Sequence, residues 1–220
     1  MHFLDSLKFD DTQNYIHETG LYKIYKKKRA DVVMLGNSLT HGVNWNELLG
    51  RENVVERGIP GDIVEGYLKR LNSITDLNPK VCFIMGGIND IYNWTPVEKI
   101  YQKYIQLVAE LKRKNIIPVI ELVIYAGTDY GNEWLKQNNP DAVPLEVNRG
   151  RNAEVEKLND MLKKFAERNN ISIIDLNERL ASGKFLRKEF TYDGLHLNAK
   201  GYQIWGEEVE KVLKKFNMFD

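Results

Sequence analysis

The sequence predicts an α/β domain whose parallel sheet is covered by helices on both faces. Three observations carry that prediction. Five short runs are apolar at almost every position, as strands buried on both sides must be. Amphipathic helical periods lie between the runs, and parallel strands need such crossovers. Each of the first three runs ends in a turn of small and polar residues, and open parallel sheets bind ligands beyond the carboxyl ends of their strands.

The first run is residues 31–36 (DVVMLG) and the second 53–57; the third is 81–85 (VCFIM), the fourth lies within 116–125 and the fifth is 171–175. A helix is expected over about 11–28, ending in Lys26, Lys27, Lys28 and Arg29, cations that complement the carboxyl end of a helix dipole. Ile63, Val64, Tyr67, Leu68 and Leu71 share a second helical face, and Asp62 stands where an N-cap would. Pro96 suits the start of a helix carrying Val97, Ile100, Tyr104, Val108 and Leu111. Val155, Leu158, Leu162 and Phe165 form the next stripe. The last, with Trp205, Val209 and Leu213, has Asn198 as its N-cap. Each stripe reads as core packing. Residues 127–151, polar and holding Pro140 and Pro144, read as an irregular insertion in a single domain of 220 residues.

Apolar residues make up 43% and charged residues 28% of the chain, as in ordinary globular proteins. Lys plus Arg and Asp plus Glu each number 31, so a general nucleic-acid binder, with its basic excess, is not expected. The one cysteine, Cys82, lies inside the third run and reads as a buried structural thiol. No Cys/His cluster has metal-site spacing, so neither a metal nor a cofactor is expected. No stretch reaches the roughly 18 apolar residues of a membrane span. Residues 1–5 (MHFLD) lack the basic and apolar regions of a secretory signal, which reads as cytoplasmic; a periplasmic or secreted chain trimmed of its signal would read the same way.

The turns carry the chemistry. After the first run comes Gly36-Asn37-Ser38-Leu39-Thr40, after the second Gly58-Ile59-Pro60-Gly61-Asp62, and after the third Gly86-Gly87-Ile88-Asn89-Asp90. Asp193-Gly194-Leu195-His196 precedes the last helix. A serine hydroxyl becomes a good nucleophile when a base takes its proton. His196 suits that role, and Asp193, three residues earlier, is placed to hold the ring in the required tautomer. A tetrahedral intermediate needs donors for its oxyanion; the candidates are the N–H groups of Ser38 and Gly61 and the Asn89 side-chain amide. His41 also competes as the base but ranks lower, because it has no carboxylate at a comparable spacing, with Glu47 the remaining candidate. Asn37, Arg57, Asp90 and Trp134 are second-rank candidates for substrate contact, with structural roles favoured for Arg57 and Asp90.

These segments resemble the sequence blocks of the SGNH (GDSL-like) hydrolase superfamily. GNSLT resembles the first block, RGIPGD the second, GGIND the third and YDGLHLNAKGY the fifth, in the family's order over nearly the whole chain. The resemblance implies a three-layer α/β/α sandwich with a flavodoxin-like, five-stranded parallel sheet. It implies Ser38, Asp193 and His196 as the catalytic set, with Ser38, Gly61 and Asn89 forming the oxyanion hole. Asn37 departs from the family's name-giving aspartate, which is not the triad acid. GNSLTHG and RGIPGD lean toward the branch similar to platelet-activating-factor acetylhydrolases and sialate or carbohydrate O-acetylesterases. The activity this implies is hydrolysis of short-chain carboxylic esters, O-acetyl groups on a carbohydrate first, with a small-molecule ester as the partner. Trp45, Trp94 and Trp134 are candidate sugar platforms. The rival readings are a lysophospholipase or thioesterase, and a catalytically silent carbohydrate- or lipid-binding module.

Overall fold

The computed structural model describes residues 9–218. Strands β1 (Val32–Gly36), β2 (Val54–Gly58), β3 (Val81–Met85), β4 (Ile117–Glu121) and β5 (Ser172–Ile174) form one parallel sheet in the order β2-β1-β3-β4-β5. Helix α1 (Gln13–Ile24) precedes β1, and α2 (Ser38–His41) and α3 (Trp45–Leu49) join β1 to β2. The next crossovers are α4 (Val64–Lys69) with α5 (Asn72–Thr75), α6 (Ile88–Tyr92) with α7 (Val97–Arg113), and α8 (Asn132–Asn138) with α9 (Pro144–Asn169). After β5 come α10 (Asn177–Leu180) and α11 (Ala199–Lys215). This is the expected flavodoxin-like order. The strand order reverses at β1, and a reversal opens a crevice at the carboxyl edge. The register pairs Gly36 with Gly58 and Leu35 with Ile84, so the turns after β1, β2 and β3 leave the sheet side by side.

Several local expectations need correction. The first helix spans 13–24 rather than 11–28, because Tyr25 turns to an extended backbone (ψ 136°). The basic residues 26–29 therefore lie beyond the helix, exposed, and Lys27 bonds the Glu52 carbonyl at 2.6 Å. Residues 127–151 are not irregular throughout. They contain α8 and the start of α9, whose first turn is opened by Pro144, a residue pre-shaped for that position. Asn198 caps α11 as expected, accepting from the N–H groups of Lys200 and Gly201. Asp62 is not the N-cap of α4; Ile63 holds that position.

The fourth apolar run is longer than β4, for an instructive reason. β5 ends at Ile174, so residues 122–126 have little further strand to pair with and yet remain mostly buried. Buried backbone groups need partners, and asparagine side chains supply them. Asn159 accepts from the Val123 N–H and donates to the Val123 carbonyl, at 2.9 and 2.8 Å. Asn152 does the same for Ala126, at 2.8 Å in both directions. Asn177 accepts from the Tyr125 N–H at 2.9 Å.

Among the described residues, Glu121 is a core acid with no ion-pair partner. Glu121 is 1% exposed; its Oε1 accepts from Trp205 Nε1 at 2.6 Å and its Oε2 has no hydrogen-bond partner. Burial pushes its pKa from 4.5 up to about 8, against the weaker pull of the indole N–H. Between those two values the folded chain keeps a proton that the unfolded chain has lost, so stability falls as pH rises through the window. Glu121→Gln removes that dependence. At pH 9 the variant is expected to exceed the parent by on the order of 2 kcal/mol, with the difference shrinking toward zero near pH 5. Urea unfolding at both pH values measures it; parallel stability–pH curves would contradict the assignment.

Candidate active site

Ser38 opens α2, so its N–H lies in the first turn, where backbone donors have no helical acceptor. Asn37 caps that turn, its Oδ1 accepting from the Leu39 N–H at 3.0 Å. Two tertiary bonds hold the turn from below. Tyr202 donates its hydroxyl to the Leu39 carbonyl at 2.8 Å, and Trp45 Nε1 donates to the Thr40 carbonyl at 2.8 Å. The turn also folds tightly onto the strand end: a Cβ at Gly36 would lie 1.9 Å from Thr40 Oγ1, so only glycine fits there.

His196 arrives from the opposite end of the chain. Its Nε2 lies 2.9 Å from Ser38 Oγ, and its Nδ1 lies 2.6 Å from Asp193 Oδ2. Asp193 Oδ1 accepts from the backbone N–H groups of Leu195 and His196, at 2.9 and 2.8 Å. Partial burial pushes the Asp193 carboxyl upward, but the bonds from His196 and from the two backbone N–H groups outweigh it and hold it below the usual range. The carboxylate is therefore ionised near neutrality. It accepts from Nδ1–H, which leaves Nε2 free to take the serine proton.

The second turn is fixed by a buried ion pair that the sequence reading missed. Arg70 Nε donates to Asp62 Oδ2 at 2.8 Å, with the two side chains 3% and 0% exposed. The same guanidinium donates to the carbonyls of Arg57 and Gly36, each at 3.0 Å. One side chain thus ties the ends of β1 and β2 to the Gly61 turn. Gly61 has φ +81°, the left-handed region where glycine carries no steric cost, and no heavy atom lies within 4 Å of its missing Cβ. From the third turn, Asn89 Nδ2 donates to the Asp62 carbonyl at 2.8 Å, which fixes its amide beside that loop.

The second-rank candidates separate. Asn37, Arg57 and Asp90 are 0%, 5% and 4% exposed, so their side chains are enclosed in the scaffold. Arg57 lies under the rings of Tyr22 and Tyr25 and donates to the carbonyls of Ser73 and Glu56. Asp90 accepts from the Val64 N–H, and burial pushes its pKa up to about 7. Trp134 stands exposed on α8. Trp45 is wholly buried, packed edge-on against Trp205 at 4.9 Å, which removes it as a sugar platform. Trp94 is exposed, with the Arg151 guanidinium over its ring. The carboxylate of His41 is Glu56, at 3.7 Å, and not Glu47, whose Oε1 accepts from Asn44. The Glu56 carboxylate beside it raises the His41 pKa. Cys82 is fully buried, and burial pushes its thiol far above the ordinary value, so it is no nucleophile.

A family model described as the GDSL-like lipase/acylhydrolase family matches residues 34–204, a span holding all four turns. The chain belongs to the GDSL-like lipase/acylhydrolase family. This GDSL-like chain is similar to the N-acylneuraminate cytidylyltransferase of Streptococcus agalactiae serotype III (strain NEM316), 25% identical over 96% of this chain and 48% of that protein. It thus spans about half the length of the curated relatives it matches first. It is also similar to the isoamyl acetate-hydrolyzing esterase of Saccharomyces cerevisiae (strain ATCC 204508 / S288c), 26% identical over 78% of this chain and 73% of that one. Among solved structures, a GDSL-like lipase from Bacteroides thetaiotaomicron VPI-5482 shares the fold with a TM-score of 0.74, at 22% identity over 94% of this chain and 99% of that one.

Proposed function

We propose that this GDSL-like chain is a serine esterase that releases short acyl groups, acetyl first, from a carbohydrate alcohol. The observation that carries the reading is the hydrogen-bonded line Asp193–His196–Ser38, with spacings of 2.6 and 2.9 Å. In the first half-reaction His196 Nε2 takes the Ser38 proton as Oγ attacks the ester carbonyl. The oxyanion is met by the N–H groups of Ser38 and Gly61 and by the second N–H of the Asn89 amide. The imidazolium then gives its proton to the leaving alcohol, and the acyl-enzyme remains. Water, activated by the same His196, releases the acid. Asp193 offsets the charge on the imidazolium throughout.

The acetyl preference is supported by the yeast relative, named for hydrolysing isoamyl acetate. The carbohydrate preference is supported by the streptococcal relative, named for a sugar acid, N-acylneuraminate. Release of acetate from O-acetylated N-acetylneuraminic acid, together with a series of 4-nitrophenyl esters, tests both. The expected kcat/KM falls about tenfold or more between acetyl and octanoyl esters. A profile that rises with acyl length would replace this reading with a lysophospholipase or thioesterase.

A further inference from the structure

The loop that presents His196 also presents an aromatic ring that the proposed proton relay does not use. Tyr192 lies four residues before His196, across the turn that holds Asp193. Its ring stacks on the imidazole, with centroids 5.8 Å apart and planes 16° from parallel. The backbone pairs the two residues that carry these rings. Thr191 pairs with Leu197 as an antiparallel bridge, and the Tyr192 N–H donates to the His196 carbonyl at 3.2 Å. The Thr191 hydroxyl donates to that same carbonyl at 2.7 Å and accepts from the Gly194 N–H at 2.9 Å. The folded loop therefore places the two residues side by side, and their rings stack across it. Yet Tyr192 is 73% exposed, and packing in the core does not account for a large ring held there.

The in-plane bonds of His196 leave one freedom open. Hydrogen bonds at Nδ1 and Nε2 are directed along the plane of an imidazole, so the bonds to Asp193 and Ser38 resist rotation within that plane more than tilting out of it. A parallel ring against one face limits the tilt. It also acts on charge: during both half-reactions the imidazole becomes an imidazolium, and the face of an aromatic ring attracts a cation. The neutral imidazole of the resting state gains less. The interaction is thus stronger in the transition state than in the ground state, which is the condition for raising kcat.

We propose that Tyr192 is a positioning residue for His196, holding the ring in line with Ser38 and favouring the imidazolium through its π face. The proposal rests on His196 being the base of a serine esterase. The phenol hydroxyl is not required, so phenylalanine preserves the function and leucine, of similar bulk without a π face, does not.

The test measures kcat and KM on ethyl acetate, whose alkoxide needs a proton to leave, for the parent, Tyr192→Phe, Tyr192→Leu and Ser38→Ala. Phenylalanine is expected to stay within about twofold of the parent in both constants. Leucine is expected to lose about 3- to 30-fold in kcat with KM within about twofold, the range of a cation–π contact from exposed to desolvated. Thermal midpoints are expected to match, because the side chain is exposed. A leucine variant with parental kcat overturns the proposal, as does a loss carried by KM, which would make Tyr192 a substrate wall. A phenylalanine variant as slow as leucine also overturns it, since the hydroxyl would then be the active part. Ser38→Ala separates the two levels. If it is inactive while Tyr192→Leu is fully active, only the positioning role fails; if it matches the parent, the serine mechanism fails first.

Discussion

Ser38→Ala is expected to lower kcat on any ester substrate by about 10⁴-fold or more. Among the described residues, the nearest alternative nucleophiles are enclosed. Cys82 is buried within β3, and the neighbouring hydroxyl of Thr40 is enclosed beneath the turn. His196→Ala is expected to cost a similar factor, because Ser38 then has no base. The double variant is expected to be no worse than either single one, since the two groups act as a unit. His41→Ala is the informative control. His41 ends α2 but faces Glu56 on β2, so its loss is expected to change kcat by less than about tenfold. Steady-state kinetics on 4-nitrophenyl acetate and labelling by a fluorophosphonate measure these effects together. Labelling of a residue other than Ser38, or a large loss in His41→Ala with little in His196→Ala, would reassign the mechanism.

Arg70→Met is expected to destabilise the fold by about 3–5 kcal/mol, because it leaves Asp62 as an unpaired buried charge. For a chain of this size that corresponds to a thermal midpoint lower by roughly 10 °C. The double variant Asp62→Asn, Arg70→Met removes both charges and is expected to recover a good part of the loss, since replacing a whole buried pair costs less than orphaning one member. Activity should respond differently. Both variants lose the donors that tie the Gly36 and Arg57 carbonyls together, so both should be slow even where stability returns. Chemical denaturation of the three proteins decides the first point and kcat at a permissive temperature the second. A single variant as stable as the parent would mean that Asp62 is not held as a buried carboxylate.

Local signals in the sequence found most of the frame, and tertiary partners account for most of the misses. β3 spans Val81–Met85 as read, because five consecutive apolar residues buried on both faces leave no ambiguity of period. Ser38, Gly61, Asn89, Asp193 and His196 stood out because each lies in a short block whose wording is itself a pattern. Arg70 did not. On its helix it is one more cation, and nothing in its neighbours announces a partner eight residues back and two carbonyls from different strands. Asp62 was misread for the same reason: its Oδ1 does accept from the adjacent Ile63 N–H, but its other oxygen belongs to Arg70. Trp45 shows the limit for aromatics, since burial depends on Trp205, which lies at the other end of the chain. The asparagines at 148, 152 and 159 fall on one helical face, yet polar residues on a helix ordinarily mean solvent. Their buried role follows only from tertiary partners: Val123 and Ala126 for Asn159 and Asn152, and Tyr92 and Tyr130 for Asn148.

That asparagine face has a consequence for how this domain changes over evolutionary time. Asn152 grips Ala126, and Asn148 bonds the Tyr130 carbonyl at 3.0 Å, while the Gly127 N–H meets the Gly194 carbonyl of the His196 loop at 2.6 Å. The chain is clamped at both ends of residues 131–143, and the near clamp also braces the loop that carries His196. Changes of length or sequence between the clamps, the buried Leu135 apart, are expected to leave the bonds at Ala126, Gly127 and Tyr130 in place. Under the proposed esterase reading, residues 131–143 are then free to drift, while the Asp193–His196–Ser38 line stays under its own, separate constraint.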